Sequence, residues 1–362
     1  MKRREEGFTL IEMLISIAIS MFVLAAALTF FLISVKQYKV QTKIVETNVE
    51  GILGLELLRQ DLESLGFGLP WNFLVPTGYT ERPGATAAIA ALDDSPNPPR
   101  AVVGIDNAAF TVNQSDYLVI KSARVGMGDA AGKWTTLKQS TVKRTWVPAG
   151  ENIAANDYVI VLSVGSTDAN RRSLVTSGTP YTQYNNTNGF IPTEPFSANI
   201  VYGIDNVLPV RPFNRAEYYI GDATSNPPVT VPQRCAPNTG ILVKAVVAHD
   251  ASGSTPDLLP LLDCVADMQV VYGLDTNADG AVEPPWLSDI SGMTAASIRT
   301  QLAEVRVHIL AQEGERDVAY TTPTDNVFVG SEGQGRNFDV SGNRNYRWRV
   351  YSIVVKPKNL AQ

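Results

Sequence analysis

Cysteine and histidine are nearly missing from this chain, with two of each in 362 residues. A structural zinc site takes four converging ligands, and Cys235, Cys264, His249 and His308 do not stand at ligand spacing. His308 alternates with Val307 and Ile309, so it reads as a solvent-face or hydrogen-bonded strand residue. There is no G-x-S-x-G elbow, no phosphate-binding loop and no Ser/His/Asp grouping. The stretch Gly330–Gly335 (GSEGQG) lacks dinucleotide spacing and reads as a flexible loop. An enzyme therefore has no catalytic grouping to rest on. An excess of basic residues is also missing: Lys and Arg number 30 against 36 Asp and Glu, a net charge of −6. With no basic patch and interleaved aromatics, a nucleic-acid partner is not indicated.

The most telling absence is local. No charged residue occurs from Met13 to Val35, 23 positions in a row. As a helix this run is roughly 35 Å long, enough to cross a hydrocarbon core of about 30 Å. A leader with Lys2, Arg3 and Arg4 against Glu5 and Glu6 precedes it, and basic residues hold their end of a span in the cytoplasm. Lys36, Lys39 and Lys43 follow the run on the far side and work against that orientation. A cleaved secretory signal could end at Ala25-Ala26-Ala27, but the apolar run continues past it to Val35, too long for a signal. An ordinary signal anchor has no use for the lone acid, Glu12. A buried helix of a soluble protein fits poorly with the uncharged run and the basic leader.

After Val35 the pattern becomes one-sided. Val45, Val49, Ile52, Leu55, Leu58, Leu62 and Leu65 step by threes and fours, the stripe of an amphipathic helix. Gly66 is placed as a C-cap, and Pro70 follows. One helix is thus expected from about Phe8 to Leu65. Gly51 and Gly54 interrupt it at a cost of about 1 kcal/mol each relative to Ala, which suggests a packing notch or a bend. Strand-like runs then recur at Asp116–Lys121, Asp157–Ser163, Ile241–Ala248, Cys264–Leu274, Glu304–Gln312 and Tyr346–Val355, with one short helix near Thr294–Leu302. The expected fold class is α+β: a long N-terminal helix packed on a mostly antiparallel β body at 70–362, long enough for two subdomains. Segments 76–100 and 163–199 read as loops. Arg347 and Arg349 alternate with Trp348 on an exposed face or edge.

Gly7-Phe8-Thr9-Leu10-Ile11-Glu12 after a short basic leader resembles the processing site of type IV prepilins and of type II secretion pseudopilins. This resemblance covers roughly the first 35 residues. It implies a leader at 1–7, cleavage after Gly7 by a prepilin peptidase, and N-methylation of Phe8 by the same peptidase/methyltransferase machinery. It also implies a membrane and filament-core helix at 8–35, continued at 36–66. Glycine lets a peptidase approach the backbone closely, and the new α-amino group is mostly cationic at neutral pH. Glu12, costly near hydrocarbon, would pair with the Phe8 amine of a neighbouring subunit; an interfacial carboxylate with no partner is the rival. The runs LLDCVADMQVVYGLDTNADG, AEVRVHIL and NYRWRVYSIVV are similar to the C-terminal region of PilW-like minor pilins, and the large body fits a minor rather than a major pilin. The resemblance implies other pilins and an inner-membrane assembly platform as partners, an inner-membrane location with a periplasmic body, and then a pilus. A pseudopilin of a secretion system and a tip-exposed adhesion module are the alternatives.

Two further expectations concern the body. In an oxidising periplasm Cys235 and Cys264 are expected to be bridged, with two buried thiols as the rival. Asp275, Asn277 and Asp279 alternate before Gly280 like the start of an EF-hand loop. The twelfth position is Trp286 instead of Glu, and Glu283 is the nearest substitute. No cofactor is required; Ca²⁺ is the one candidate, against a plain Asx-type turn.

Overall fold

The structure, a computed structural model, describes residues 9–165, 171–250 and 255–360. Chain order begins with α1 (Leu10–Glu63), β1 (Asn72–Phe73), α2 (Ala87–Ala90), β2 (Val102–Ile105), β3 (Tyr117–Ser122), β4 (Trp134–Lys138), β5 (Tyr158–Val164), β6 (Arg171–Leu174), β7 (Thr182–Gln183) and β8 (Ala198–Asp205). It continues with β9 (Asn214–Gly221), β10 (Gly240–Val246), β11 (Asp257–Leu274), β12 (Glu283–Leu287), α3 (Ala295–Gln301), β13 (Leu302–Glu313), β14 (Asn326–Ser331), β15 (Gln334–Asp339) and β16 (Arg347–Val355). The fold is α+β, a long apolar N-terminal helix on a mostly antiparallel body.

At 54 residues, α1 is about 80 Å long. Its first half touches little of the chain: Leu14, Phe22, Leu24 and Phe31 are all exposed. Its second half lies on the large sheet, ordered β16-β13-β11-β10-β9-β3-β2 with β12 on the end of β11. Leu55, Leu58, Leu62 and Leu65 are buried there against Leu118, Ala216, Leu242, Leu261 and Val265. The upper part of the expected stripe is a correction. Val45, Val49 and Ile52 remain exposed, because the docked face is set by Gly51 and Gly54. A Cβ on Gly54 would lie 1.9 Å from the Leu261 carbonyl oxygen, and one on Gly51 would lie 3.0 Å from Leu262 Cδ1. The glycines form a packing notch that brings helix and strand backbones together. Ser64 caps the helix, and Gly66, at φ +75°, turns the chain two residues later.

The opposite face of the same sheet holds charge. Along β3, Leu118 and Ile120 face α1 while Val119 and Lys121 face away, and along β9 Ala216 and Tyr218 alternate in the same way with Arg215 and Glu217. The segment at 76–100, expected as an open loop, is clamped over this face. Glu81 pairs with Lys121 at 2.6 Å and Arg215 at 3.1 Å, and all three side chains are fully buried. Asp94 pairs with Lys121 at 2.6 Å and Arg100 at 2.5 Å. Ile89 and Leu92 add an apolar contact.

The smaller sheet, ordered β1-β6-β5-β8-β4 with β7 beside β5, joins the large one at the far end of α1. Phe67 stacks edge-on against Tyr202 at 5.2 Å. This sheet also corrects the expected loop at 163–199, since β6 and β7 form within it and Phe190 is buried on Val159 and Val201. The GSEGQG stretch is no loose loop either: Gly330 pairs with Gly335 at the tip of the β14–β15 hairpin. That hairpin lies over β11 and β13, with Val329 buried on Ala266 and Leu310.

Candidate functional site

The N-terminal end of α1 carries the first group of interest. Gly7 and Phe8 lie outside the described residues. Thr9 is the N-cap and forms a capping box with Glu12. The Thr9 backbone N–H donates to Glu12 Oε2 at 2.9 Å and the Thr9 hydroxyl donates to the same oxygen at 2.8 Å. In return, Glu12 N–H donates to Thr9 Oγ1 at 3.4 Å. Each partner satisfies an N–H that a helix start otherwise leaves bare. Thr9 is a residue the sequence reading passed over, although Thr-x-x-Glu before an apolar run is the signal for it. Within a single chain, then, the Glu12 carboxylate is held at the helix end by two donors. It remains exposed, open to a cation from outside.

A second group couples the helix to the body. Asp61, one turn from the helix end, is buried against β9 and β10. Lys244 Nζ lies 2.5 Å from Asp61 Oδ2, and the Tyr218 hydroxyl donates to the same oxygen. Burial pushes the Asp61 carboxyl up, and the Lys244 ammonium opposes that shift. Burial likewise pushes the Tyr218 hydroxyl well up, with the Asp61 charge adding to it. Lys358 and Asn359, past the end of β16, reach Glu63 at 3.4 and 3.2 Å. The C-terminal segment thus ties down the same helix end.

The acidic loop after β11 is compact. Asp275, Asp279 and Glu283 can bring three carboxylate oxygens within 4.8 Å of one another. The backbone already uses these oxygens: Ala278 and Gly280 N–H donate to Asp275 at 2.6 and 2.8 Å, Ala281 N–H to Asp279 at 2.8 Å, and Thr276 N–H to Glu283 at 2.6 Å. Asn277 Oδ1 accepts from Asp279 N–H at 2.9 Å. Calcium takes six to eight oxygens, so three carboxylates would need backbone carbonyls and water beside them. Trp286 points elsewhere, stacked under Arg306 at 4.1 Å.

Cys235 and Cys264 form a disulfide with Cα atoms 4.9 Å apart, tying the segment before β10 to β11. Neither histidine has a metal-ligand neighbour among the described residues. His249 Nε2 meets Asn214 Oδ1 at 2.9 Å, and His308 sits between the hydroxyls of Ser352 and Ser331 at 2.8 and 2.9 Å. Burial lowers both imidazoles, and each joins elements through these bonds. Arg347 pairs with Asp317 at 3.0 Å and Arg349 with Glu313 at 2.8 Å.

The comparisons with known proteins fall on the two ends of the chain. Residues 2–28 match the family model of the prokaryotic N-terminal methylation motif. With the capped apolar helix that follows, this defines a prepilin-type protein anchored in a membrane through its N-terminus. Residues 217–359, which hold most of the large sheet and its hairpin, match the family model of the type IV pilus-assembly protein W. Together the two matches support a PilW-like type IV minor pilin. No curated protein and no solved structure matches it. Neither model reaches residues 29–216, where the smaller sheet and the clamp at 76–100 lie.

Proposed function

We propose that this chain is a structural, non-enzymatic subunit, made as an inner-membrane prepilin and assembled into a type IV pilus. A prepilin peptidase cuts after Gly7 and Phe8 is N-methylated. The apolar half of α1 then exchanges lipid for neighbouring helices in the filament core. The observation that carries this reading is the pairing of the methylation motif with a helix half that finds no partner among the described residues. Glu12 serves as the assembly handle: exposed at the helix start, it takes the Phe8 amine of a neighbouring subunit. The Cys235–Cys264 disulfide supports a body outside the cytoplasm, since such bonds persist in oxidising compartments. The bulk of the body favours a tip or initiation complex over a repeated place in the shaft. Other pilins and the inner-membrane platform are its partners. The test is Glu12→Ala in cells. Processing at Gly7 continues and incorporation into pili falls; normal incorporation of the variant would overturn the handle.

The loop Asp275–Glu283 is proposed as a calcium site of secondary importance, on the convergence of its three carboxylates. Calorimetry with calcium chloride on the protein and on its Asp275→Ala and Asp279→Ala variants tests it. An absence of heat and of any melting shift in the unmutated protein would leave a plain Asx-type turn.

A further inference from the structure

Three lysines stand where the membrane helix ends, on the side that the positive-inside rule leaves poor in basic residues. Lys36, Lys39 and Lys43 are exposed and spaced by three and four positions, so they share one helix face. The body brings its own cation to the same level. The loop at 314–320, between β13 and β14, descends beside this part of α1, and Gly314 abuts Ile44. Lys36, Lys39 and Lys43 line one cavity of about 480 Å³ with Glu315 and Arg316. Lys36 lines a second, of about 620 Å³, with Asp317 and Arg347.

The loop is held in shape. Asp317 N–H donates to the Asn345 carbonyl at 2.9 Å, Ala319 N–H donates to the Asp317 carboxylate at 3.1 Å, and Arg347 pairs with that carboxylate at 3.0 Å. Asp317 is engaged by Arg347 and lies near Lys36, and Glu315 is the other acid of the loop, beside the exposed Lys36, Lys39, Lys43 and Arg316. The tip carries an apolar side chain, Val318, 71% exposed, and Tyr38 on the helix is equally exposed. Cations beside an exposed valine and tyrosine, at the end of a membrane span, match the chemistry of the lipid headgroup layer. Ammonium and guanidinium groups pair with phosphates there, and aromatic rings settle at that depth.

We propose that the underside of the body, made of Lys36, Lys39 and Lys43 and the 314–320 loop with Arg316 and Val318, seats on the anionic phospholipid headgroups of the membrane that α1 crosses. The proposal rests on the membrane-anchor reading of α1. It gives the three lysines a task that orientation alone does not. The seated body would be fixed in height and tilt before it enters a filament, and extraction would break these contacts.

The test uses the full chain in lipid nanodiscs, either of neutral phosphatidylcholine or with phosphatidylglycerol added, and with a spin label on a fraction of the headgroups. A fluorophore on Val318→Cys reports proximity to the headgroups, and one on Val147→Cys, in the smaller sheet's subdomain, is the control. Quenching at position 318 is expected to be strong in anionic discs and weak in neutral ones, and quenching at 147 to be the same in both. Replacing Lys36, Lys39, Lys43 and Arg316 by Gln should abolish the difference, since each cation near an anionic surface is worth about fivefold in partition. Equal quenching at 318 in neutral and anionic discs, or a difference that survives the four substitutions, overturns the proposal. A chain that does not enter the discs at all overturns the anchor reading as well.

Discussion

The two halves of α1 share one backbone, the first apolar on every side and the second on one side only, and they have opposite fates. From Leu10 to Ile33 the side chains are exposed. From Gly51 to Leu65 one face is sealed against the large sheet of the body. Within the second half, the choice of buried face does not lie in hydrophobicity, since Ile52 and Leu53 are as apolar as Leu55 and Leu58 and yet exposed. It lies in the glycines. Gly51 and Gly54 let β11 reach the helix backbone, and only the face they define is buried. The first half has no such notch, and no strand meets it among the described residues; in the proposed filament it would meet lipid first and other subunits later.

Breaking the notch should have the largest effect. Gly54→Leu would drive a side chain into the Leu261 backbone, which cannot move without disrupting β11. The expected outcome is loss of a cooperative melt. Removing the polar bolt comes next. Asp61→Ala leaves Lys244 buried without its partner, a loss of about 3–5 kcal/mol, read as a fall in the denaturation midpoint. Truncating one leucine in each half sharpens the contrast. Leu58→Ala, at a fully buried site, should cost about 2–5 kcal/mol, while Leu24→Ala should leave the melt of the body unchanged. A comparable loss from both would erase the distinction between the halves.

The smallest expected effect concerns pH, on the side of the sheet away from the helix joint. Asp116 accepts from the N–H groups of Asn107 and Val270 at 3.0 and 2.7 Å. Burial nonetheless raises its carboxyl to about 7, with Asp106 and Asp267 adding to the shift. A carboxyl raised in the folded state keeps a proton that the unfolded chain, with a reference value of about 3.9, has already released. Its contribution to stability is therefore present below about pH 4 and declines as pH rises toward 7 and above. Asp116→Asn should flatten that part of the profile, as measured by urea midpoints across the range.

Much of this architecture was legible in the residues. The uncharged run, the lower stripe at Leu55–Leu65, and six of the strands followed from periodicity and β-branched content. The strand at Asn214–Gly221 did not, because Arg215 and Glu217 interrupt the apolar pattern that marks a buried strand. They are buried, and their partners Glu81, Arg82 and Asp93 are more than 100 positions away in the sequence. No local pattern reveals such a pairing, and for the same reason the segment at 76–100 read as a loop instead of a clamp. At the N-terminus the acid at position 12 was legible, but its Thr9 partner was overshadowed by the motif that contains both. The exposure of Val45, Val49 and Ile52 depended on which helix face Gly51 and Gly54 present to β11, which spacing alone cannot give.

The contrast between the halves of α1 rests on the N-terminal half being the membrane and assembly segment of a processed prepilin. Mass spectrometry of the N-terminus tests this most directly, on protein from cells with and without the prepilin peptidase. With the peptidase, the account predicts a chain that begins at Phe8 and carries one added methyl group; without it, a chain that retains residues 1–7. A chain that keeps its leader in the presence of the peptidase, or one cut after Ala27, would contradict it.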